Sequence, residues 1–583
     1  MNKKLILAKK HNLYRNTLFT TKTCLLSAQR MLKNALEGNK KFPDKNELID
    51  LPIISASESY LWNADDQEDN WILTAGKIQN LRLAARNING VEIPAGEIFS
   101  FWKYIGNPNF GKRFVTGREV KEGCIVPTKG GGLCQLSNAL YDAALKADFQ
   151  IIERHRHSQV IAGSLAEKNR DATVKWNYID LRFRSNFPFR IEVQMTDSRL
   201  MVVFKSSQKN NPELNTNYKE FFKASSINDC YSCGNKACIL HNGKEKIKNT
   251  GKVTYILDEK WIEYEKYLES VINENDVVLL PFTPENKLKN SKNCWNLKGK
   301  NIQTCSIPSL RRILNFKIHK GKNPFELALA EDQKICRKMA KLIPIESTHL
   351  VVSQNLLPFL YKDFHTAGRT LDVLMYRLPI EILQKKLDVA FSTYSESPTL
   401  HDFRASVSIW SLENEALKQA HKIITPHTQI AKLFPSKSHL LTWHIPQKKI
   451  HKSPEGKKIL FPASSLGRKG AYEMRKLITE LGLSVVIAGK TIEKNDFWKN
   501  IEVEFADNDN LFHNIALLVY PAYIEHHPQL LLEAISLDIP MIITEACGIE
   551  PGKNITVVPT GNYAELKKEV SKFLSLHPIF QSF

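Results

Sequence analysis

The chain has 583 residues, 43% of them apolar and 24% charged, which is too long for one hydrophobic core and fits several ordinary globular domains. Lys and Arg number 81 against 61 Asp and Glu, a net charge of +20 that favours anionic partners such as a nucleotide diphosphate or an acidic membrane face. Ten cysteines in this length exclude a disulfide scaffold, and no run of about 18 apolar residues is present to cross a membrane as a helix.

The N-terminus is basic, and its apolar run Leu5–Ala8 is too short for the core of an export signal. A cytoplasmic protein with reduced thiols is therefore expected, its basic surface suited to the inner face of an anionic membrane. Nucleic acid is not an expected partner. The first 210 residues end in three alternating runs, Tyr178–Arg184, Phe189–Met195 and Leu200–Phe204, which predict a half-buried antiparallel sheet and an α+β domain.

Within this region Gly130–Ala147 reads GGGLCQLSNALYDAALKA. Leu133, Leu136, Leu140, Ala143, Ala144 and Ala147 share one helical face, placing Cys134 at the start of an amphipathic helix. A thiol there feels the positive helix end, and the glycines suit close approach of a substrate and N–H groups turned toward an oxyanion. ERHRHS, with His155 and His157, and NRDATV, with Asp171, follow. Cys134, His157 and Asp171 thus supply a thiol nucleophile, its base and its orienter in chain order. The stretches FSFWKYIG, GGGLCQLSNALYDAAL, ERHRHS, RDATV and DLRFRSNFPFRI, over roughly residues 60–205, resemble the VanW family. The resemblance implies a role in cell-wall metabolism, with Cys134 at the nucleophile position of the members that act as cysteine-dependent L,D-transpeptidases.

A polar linker follows, and within residues 211–250 Cys230, Cys233, Cys238 and His241 are spaced C-x2-C-x4-C-x2-H. Three thiolates and an imidazole suit tetrahedral zinc with no open position, so a structural zinc knuckle is expected; the spacing alone also admits an iron–sulfur cluster.

From residue 251 short apolar strands alternate with helical segments, the pattern of parallel α/β sheets, and two lobes are expected at 251–445 and 446–583. Ala416–Thr425 reads as the last helix and strand of the first lobe, and Trp443-His444-Ile445-Pro446 as its hinge. His349 and His365 are the candidate histidines there. In the second lobe, SSLGRKG (464–470) lies between a strand and a helix: Gly467 permits a close approach, and Arg468 and Lys469 can hold a diphosphate. Further on, YPAYIEHHPQLLLEAISLDIPMIIT (520–544) carries Glu525 and Glu533, expected two turns apart on one face, the second suited to a ribose diol.

These two stretches resemble the donor lobe of GT-B glycosyltransferases of the family 4 type. The resemblance implies that Gly467, Arg468 and Lys469 face the donor diphosphate, that Glu525 lies by the donor sugar and that Glu533 holds the ribose. His526-His527 and Ser536-Leu537-Asp538 depart from the family pattern, the last placing Asp538 where a glycine is usual. The expected whole is a multidomain chain: an α+β VanW-like domain, a small metal knuckle and a two-lobed α/β GT-B. It would transfer a sugar from a nucleotide-sugar donor to a cell-envelope polysaccharide or lipid-linked acceptor. The competing readings are a Cys134-centred acyl or peptidyl transferase and a binding protein with both sites inactive.

Overall fold

The computed structural model describes residues 13–36, 40–62, 71–111, 113–121, 124–156, 169–208, 252–283, 292–297, 301–318, 324–447, 456–494, 496–506 and 511–577. His157 and the four-ligand set Cys230, Cys233, Cys238 and His241 lie outside the described residues. The chain forms two compact units. The first is Met1–Lys252 with Pro344–His349 and Lys362–Thr370; the second is the remainder, beginning at Val253.

The first unit is α+β. Its antiparallel sheet runs in the order Ile53–Tyr60, Arg199–Lys205, Phe189–Met195, Val91–Ile93. Alternation in FRIEVQM buries Phe189, Ile191, Val193 and Met195 and turns Gln194 to solvent, as a half-buried strand requires. Phe149 anchors the core, its ring parallel to that of Phe204 at 5.3 Å between centroids. A second sheet joins Ile98–Ser100, Arg182–Arg184 and Gln150–Glu153. The strand expected from Tyr178 begins only at Arg182. Before it, the Asp180 carboxylate accepts from Ser100 Oγ (2.7 Å) and from the Trp102 and Leu181 N–H groups, turning the chain out of the ladder.

The helix Cys134–Lys146 opens where expected, at the end of the triple-glycine turn. The close approach those glycines allow is to the chain itself. Gly132 has φ +95, and a Cβ on it would sit 2.0 Å from Lys77 Cγ. Lys77, buried in the helix Trp71–Ile88, donates to Leu61 O at 2.7 Å.

The second unit contains two sheets. One has seven strands in the order Asn301–Thr304, Val277–Leu280, Lys252–Ile256, Ser347–Ser353, Thr370–Leu374, Lys422–Thr425, Ser438–Leu440. The other has six parallel strands in the order Val503–Phe505, Val485–Ile487, Lys458–Phe461, Ile515–Tyr520, Met541–Thr544, Ile555–Val558. In chain order both run 3-2-1-4 and onward, the doubly wound arrangement whose connections part company between strands 1 and 4. Lys422–Thr425 is not the last strand before the hinge: the helix Thr428–Leu433 and the strand Ser438–Leu440 follow it. Thr370–Leu374 escaped the periodicity because Asp372, buried mid-strand, breaks the apolar run; its carboxylate lies 3.2 Å from His421 Nδ1. His349 and His365 fall in the segments that cluster with the first unit.

Inside the second unit the two sheets meet through side chains from both. The His527 ring lies parallel to Trp261 at 4.3 Å and to Trp443 at 6.0 Å. The Glu493 carboxylate accepts from Ser397 Oγ, Thr399 Oγ1, Tyr472 OH and the Gly467 N–H (2.6 Å). Burial pushes the His527 imidazole down to about 4, against the opposing pull of the Glu525 carboxylate.

A group protonated less readily in the folded chain costs stability once the unfolded chain can take the proton. Acidification from about pH 6.5 toward 4 should therefore destabilise the second unit, with His527 contributing at most about 3 kcal/mol. Thermal unfolding across that range tests this. The His527→Phe variant, which keeps an aromatic ring against Trp261, should lose stability less steeply; an unchanged slope would contradict the assignment.

Candidate functional site

The six-stranded sheet builds its crevice from the loops that leave strands 1 and 4. After Lys458–Phe461 the chain passes through SSLG into a single 3-10 turn, Gly467–Lys469, and then the helix Ala471–Leu481. After Ile515–Tyr520 it enters the loop carrying Glu525 and then the helix Gln529–Ser536. Backbone bonds tie the loops together: Tyr523 and Ile524 N–H both donate to Arg468 O, at 3.0 and 3.2 Å.

Lys469 and Glu525 close this bridge. Lys469 Nζ lies 2.7 Å from Glu525 Oε2, which also accepts from Tyr520 OH at 2.5 Å, while the His527 N–H donates to Oε1 at 3.1 Å. Burial works to raise the Glu525 carboxyl, but the Lys469 ammonium, with the Tyr520 and His527 donors, holds it down at about 2. The Glu525 carboxylate stays ionised through the neutral range. From the first sheet, His427 Nε2 donates to Glu525 O at 2.9 Å and Ala546 O at 3.2 Å; two carbonyl acceptors assign the proton to that nitrogen, and burial keeps the ring neutral.

Arg468 turns elsewhere. Successive residues of a tight turn point apart, and its guanidinium pairs with Asp402 and lies 5.2 Å over the Phe403 ring. Gly467 serves contact between the two sheets, since a Cβ on it would meet Ser397 Oγ at 2.4 Å. Glu525 lies on the loop before the helix Gln529–Ser536 and Glu533 within it, so the two bracket the helix start as expected, and the non-helical stretch between them means that they are not spaced as two helical turns. Asp538 takes the left-handed conformation of the glycine it replaces (φ 58), its carboxylate accepting from Asn554 Nδ2 at 2.8 Å.

Asp402, Tyr520, His427 and Glu493 had no place in the sequence reading. Three of the four come from loops far along the chain, and no local spacing marks them. Tyr520, the last residue of its strand before Glu525, was the most accessible by inspection.

In the first unit, Cys134 is half-buried, with Sγ 3.8 Å from both Thr173 Oγ1 and Val174 O. The segment carrying Asp171 is laid along the helix: Ser137 Oγ donates to Ala172 O at 2.6 Å, and the Ala172 N–H donates to Asn138 Oδ1 at 2.8 Å. Thr173 N–H reaches His155 O at 2.8 Å, so residues 153–156, RDATV and the Cys134 turn come together. The Asp171 carboxylate is engaged by Arg154, buried with it, at 2.8 Å. Arg154 in turn stacks 4.9 Å over Tyr141. His155 Nε2 lies 3.4 Å from Glu153, whose carboxyl burial would raise but which His155 and Arg30 hold at about 2. Glu153 and Thr173 lie inside ERHRHS and RDATV, where the sequence reading assigned neither of them a role. Among the described residues no cluster of three or more His, Cys, Asp or Glu is arranged to hold a metal.

Comparison with known proteins follows this division. Residues 76–205 match the family model described as VanW like protein. The vancomycin B-type resistance protein VanW of Enterococcus faecalis is 32% identical over 138 residues, 22% of this chain and 49% of that protein. The uncharacterized protein YoaR of Bacillus subtilis is 28% identical over 137 residues, 23% of this chain and 45% of that one. The chain thus spans about half the length of these relatives. Among solved structures, the lipopolysaccharide outer core galactosyltransferase WaaB in its apo form aligns over 56% of this chain and 90% of its own, at 13% identity and a TM-score of 0.32. The sucrose-phosphate synthase of Thermosynechococcus elongatus aligns over the same shares at 12% identity and a TM-score of 0.34, so both are distant likenesses. The Cys134 helix start, the Arg154–Asp171 pair and the Asp180 turn therefore belong to a VanW-like domain at residues 76–205.

Proposed function

We propose that the second unit is a GT-B glycosyltransferase of the family 4 type, moving a sugar from a nucleotide-sugar donor to a cell-envelope polysaccharide or lipid-linked acceptor. The observation that carries this reading is the Lys469–Glu525 pair, set across the point where strands 1 and 4 of a doubly wound sheet diverge. Ligands of such sheets bind in the crevice beyond the carboxyl ends of the strands at that point.

Lys469, paired with Glu525, would exchange part of that pairing for the donor diphosphate and stabilise the charge that builds as the nucleotide leaves. Arg468, on the same turn, would trade Asp402 for a phosphate oxygen, with the Gly467 backbone close by. Glu525 would stand by the donor sugar and Glu533 accept from the ribose hydroxyls. The reaction would take place on the cytoplasmic side, at or near the inner membrane face; no described helix is long and apolar enough to cross a membrane. The VanW-like domain would bind the acceptor or a cell-wall precursor.

A second reading has its own support. Cys134 sits at a helix start, half-buried, with the His155 and Asp171 segments folded beside it. That suits a thiol acyl or peptidyl transferase with His157 as base and Asp171 as orienter. Glu533→Ala should raise KM for the nucleotide sugar roughly tenfold or more, the loss of hydrogen bonds to a charged group, while Cys134→Ala leaves sugar transfer unchanged. If Cys134→Ala abolishes turnover and Glu533→Ala does not, the sugar-transfer reading falls.

The bridge itself makes a stability prediction. Lys469→Ala leaves the part-buried Glu525 carboxylate without its cation, at a cost of about 1–3 kcal/mol. Adding Glu525→Gln should recover much of that loss in denaturant titrations. Equal stability of the single and double variants would show that the two side chains are not coupled.

A further inference from the structure

The helix Ser306–Ile318 in the second unit is turned inside out. Two of its polar residues point inward: Ser309 is fully buried, and Arg312 makes a two-pronged salt bridge to Asp258 (2.6 and 2.8 Å) and reaches Asp332 at 3.0 Å. Four of its aliphatic residues point outward, and Ile313 is half-buried. Ile307, Leu310, Leu314 and Ile318 are 82, 43, 56 and 72% exposed, at the i, i+3, i+7, i+11 spacing that lines one helical face.

The buried charges explain why the helix cannot simply roll over. Asp258 also accepts from Asn293 Nδ2 (3.1 Å) and Asn355 Nδ2 (2.5 Å), so turning the stripe inward would strip a buried carboxylate of its guanidinium. Four adjacent aliphatic side chains held outward in this way call for a cover. The charge around them selects it. Arg311 and Lys317 flank the stripe on the helix, and in sequence the stretch from Asn286 to Phe325 carries ten Lys and Arg, Arg312 with its Asp258 partner among them, and no Asp or Glu. Two such faces would repel each other, which disfavours a second copy of the chain. A nucleic acid would meet the charges and leave the aliphatic stripe in water.

We propose that this helix docks on an anionic lipid bilayer, with Ile307, Leu310, Leu314 and Ile318 entering the boundary between headgroups and acyl chains and Arg311 and Lys317 meeting lipid phosphates. The proposal is independent of the sugar-transfer reading, because it concerns binding and not turnover. The full chain should float with vesicles of phosphatidylcholine mixed with phosphatidylglycerol, more weakly as salt rises, and stay behind with phosphatidylcholine alone. Ile307→Ser with Leu314→Ser, both at exposed positions, should reduce flotation by roughly tenfold or more with the circular dichroism spectrum unchanged. Arg311→Gln and Lys317→Gln should each cost roughly fivefold. The proposal is overturned if the wild-type chain does not float with the anionic vesicles, or if the Ile307/Leu314 variant floats equally well. It is also overturned if the wild type is a dimer in lipid-free solution that this variant splits, or if RNA binding depends on the same two residues.

Discussion

The second unit turns on one part-buried ion pair. Lys469 and Glu525 lie 56 residues apart on the loops after strands 1 and 4, and their 2.7 Å contact joins those loops across the crevice of the sheet. Removing either charge would leave the other part-buried without its partner. Around the pair, Tyr520, the His527 N–H and His427 fill out the donors and acceptors, and His427 reaches in from the other sheet. One electrostatic constraint thus fixes the loop geometry and helps hold the sheets together, and in the proposed reaction a diphosphate would compete for its cation. Arg468–Asp402 and Gly467–Glu493 repeat the theme, each putting a carboxylate of the protein on a group suited to a phosphate.

The first unit uses a different economy. Its glycines and buried cations serve close backbone packing: Gly132 lies against the Lys77 stem, and Arg154 is spent on Asp171 and the Tyr141 ring. The result brings a half-buried thiol to the start of a helix with two motif segments beside it. These are features of residues 76–205, the VanW-like domain, and they make no appeal to the second unit.

Much of the fold could be read from local pattern, because alternating burial and strand–helix alternation are local signals. Phe189–Met195 is a strand with the predicted bounds, and Val277–Leu280, Lys422–Thr425 and Met541–Thr544 are short apolar strands of the expected alternation. Strands failed to register where polar residues interrupt them, as Asp372 does in Thr370–Leu374 and as the polar edge strand Asn301–Thr304 does throughout. Of the site, Lys469 and Glu525 were legible because each sits on a loop next to a recognisable strand. Their pairing was not legible, nor was the diversion of Arg468 to Asp402, because both depend on which loops the strand order brings together. The glycines at 130–132 showed a need for close approach, and only the packing shows that the neighbour is Lys77.

The central claim is that the crevice spanned by Lys469 and Glu525 receives a nucleoside diphosphate. A crystal structure of the full chain grown with a nucleoside diphosphate tests it most directly. The account predicts the diphosphate within hydrogen-bond distance of Lys469 Nζ, with the ribose beside Glu533. Nucleotide bound elsewhere, with the Lys469–Glu525 contact intact and the crevice empty, would contradict it.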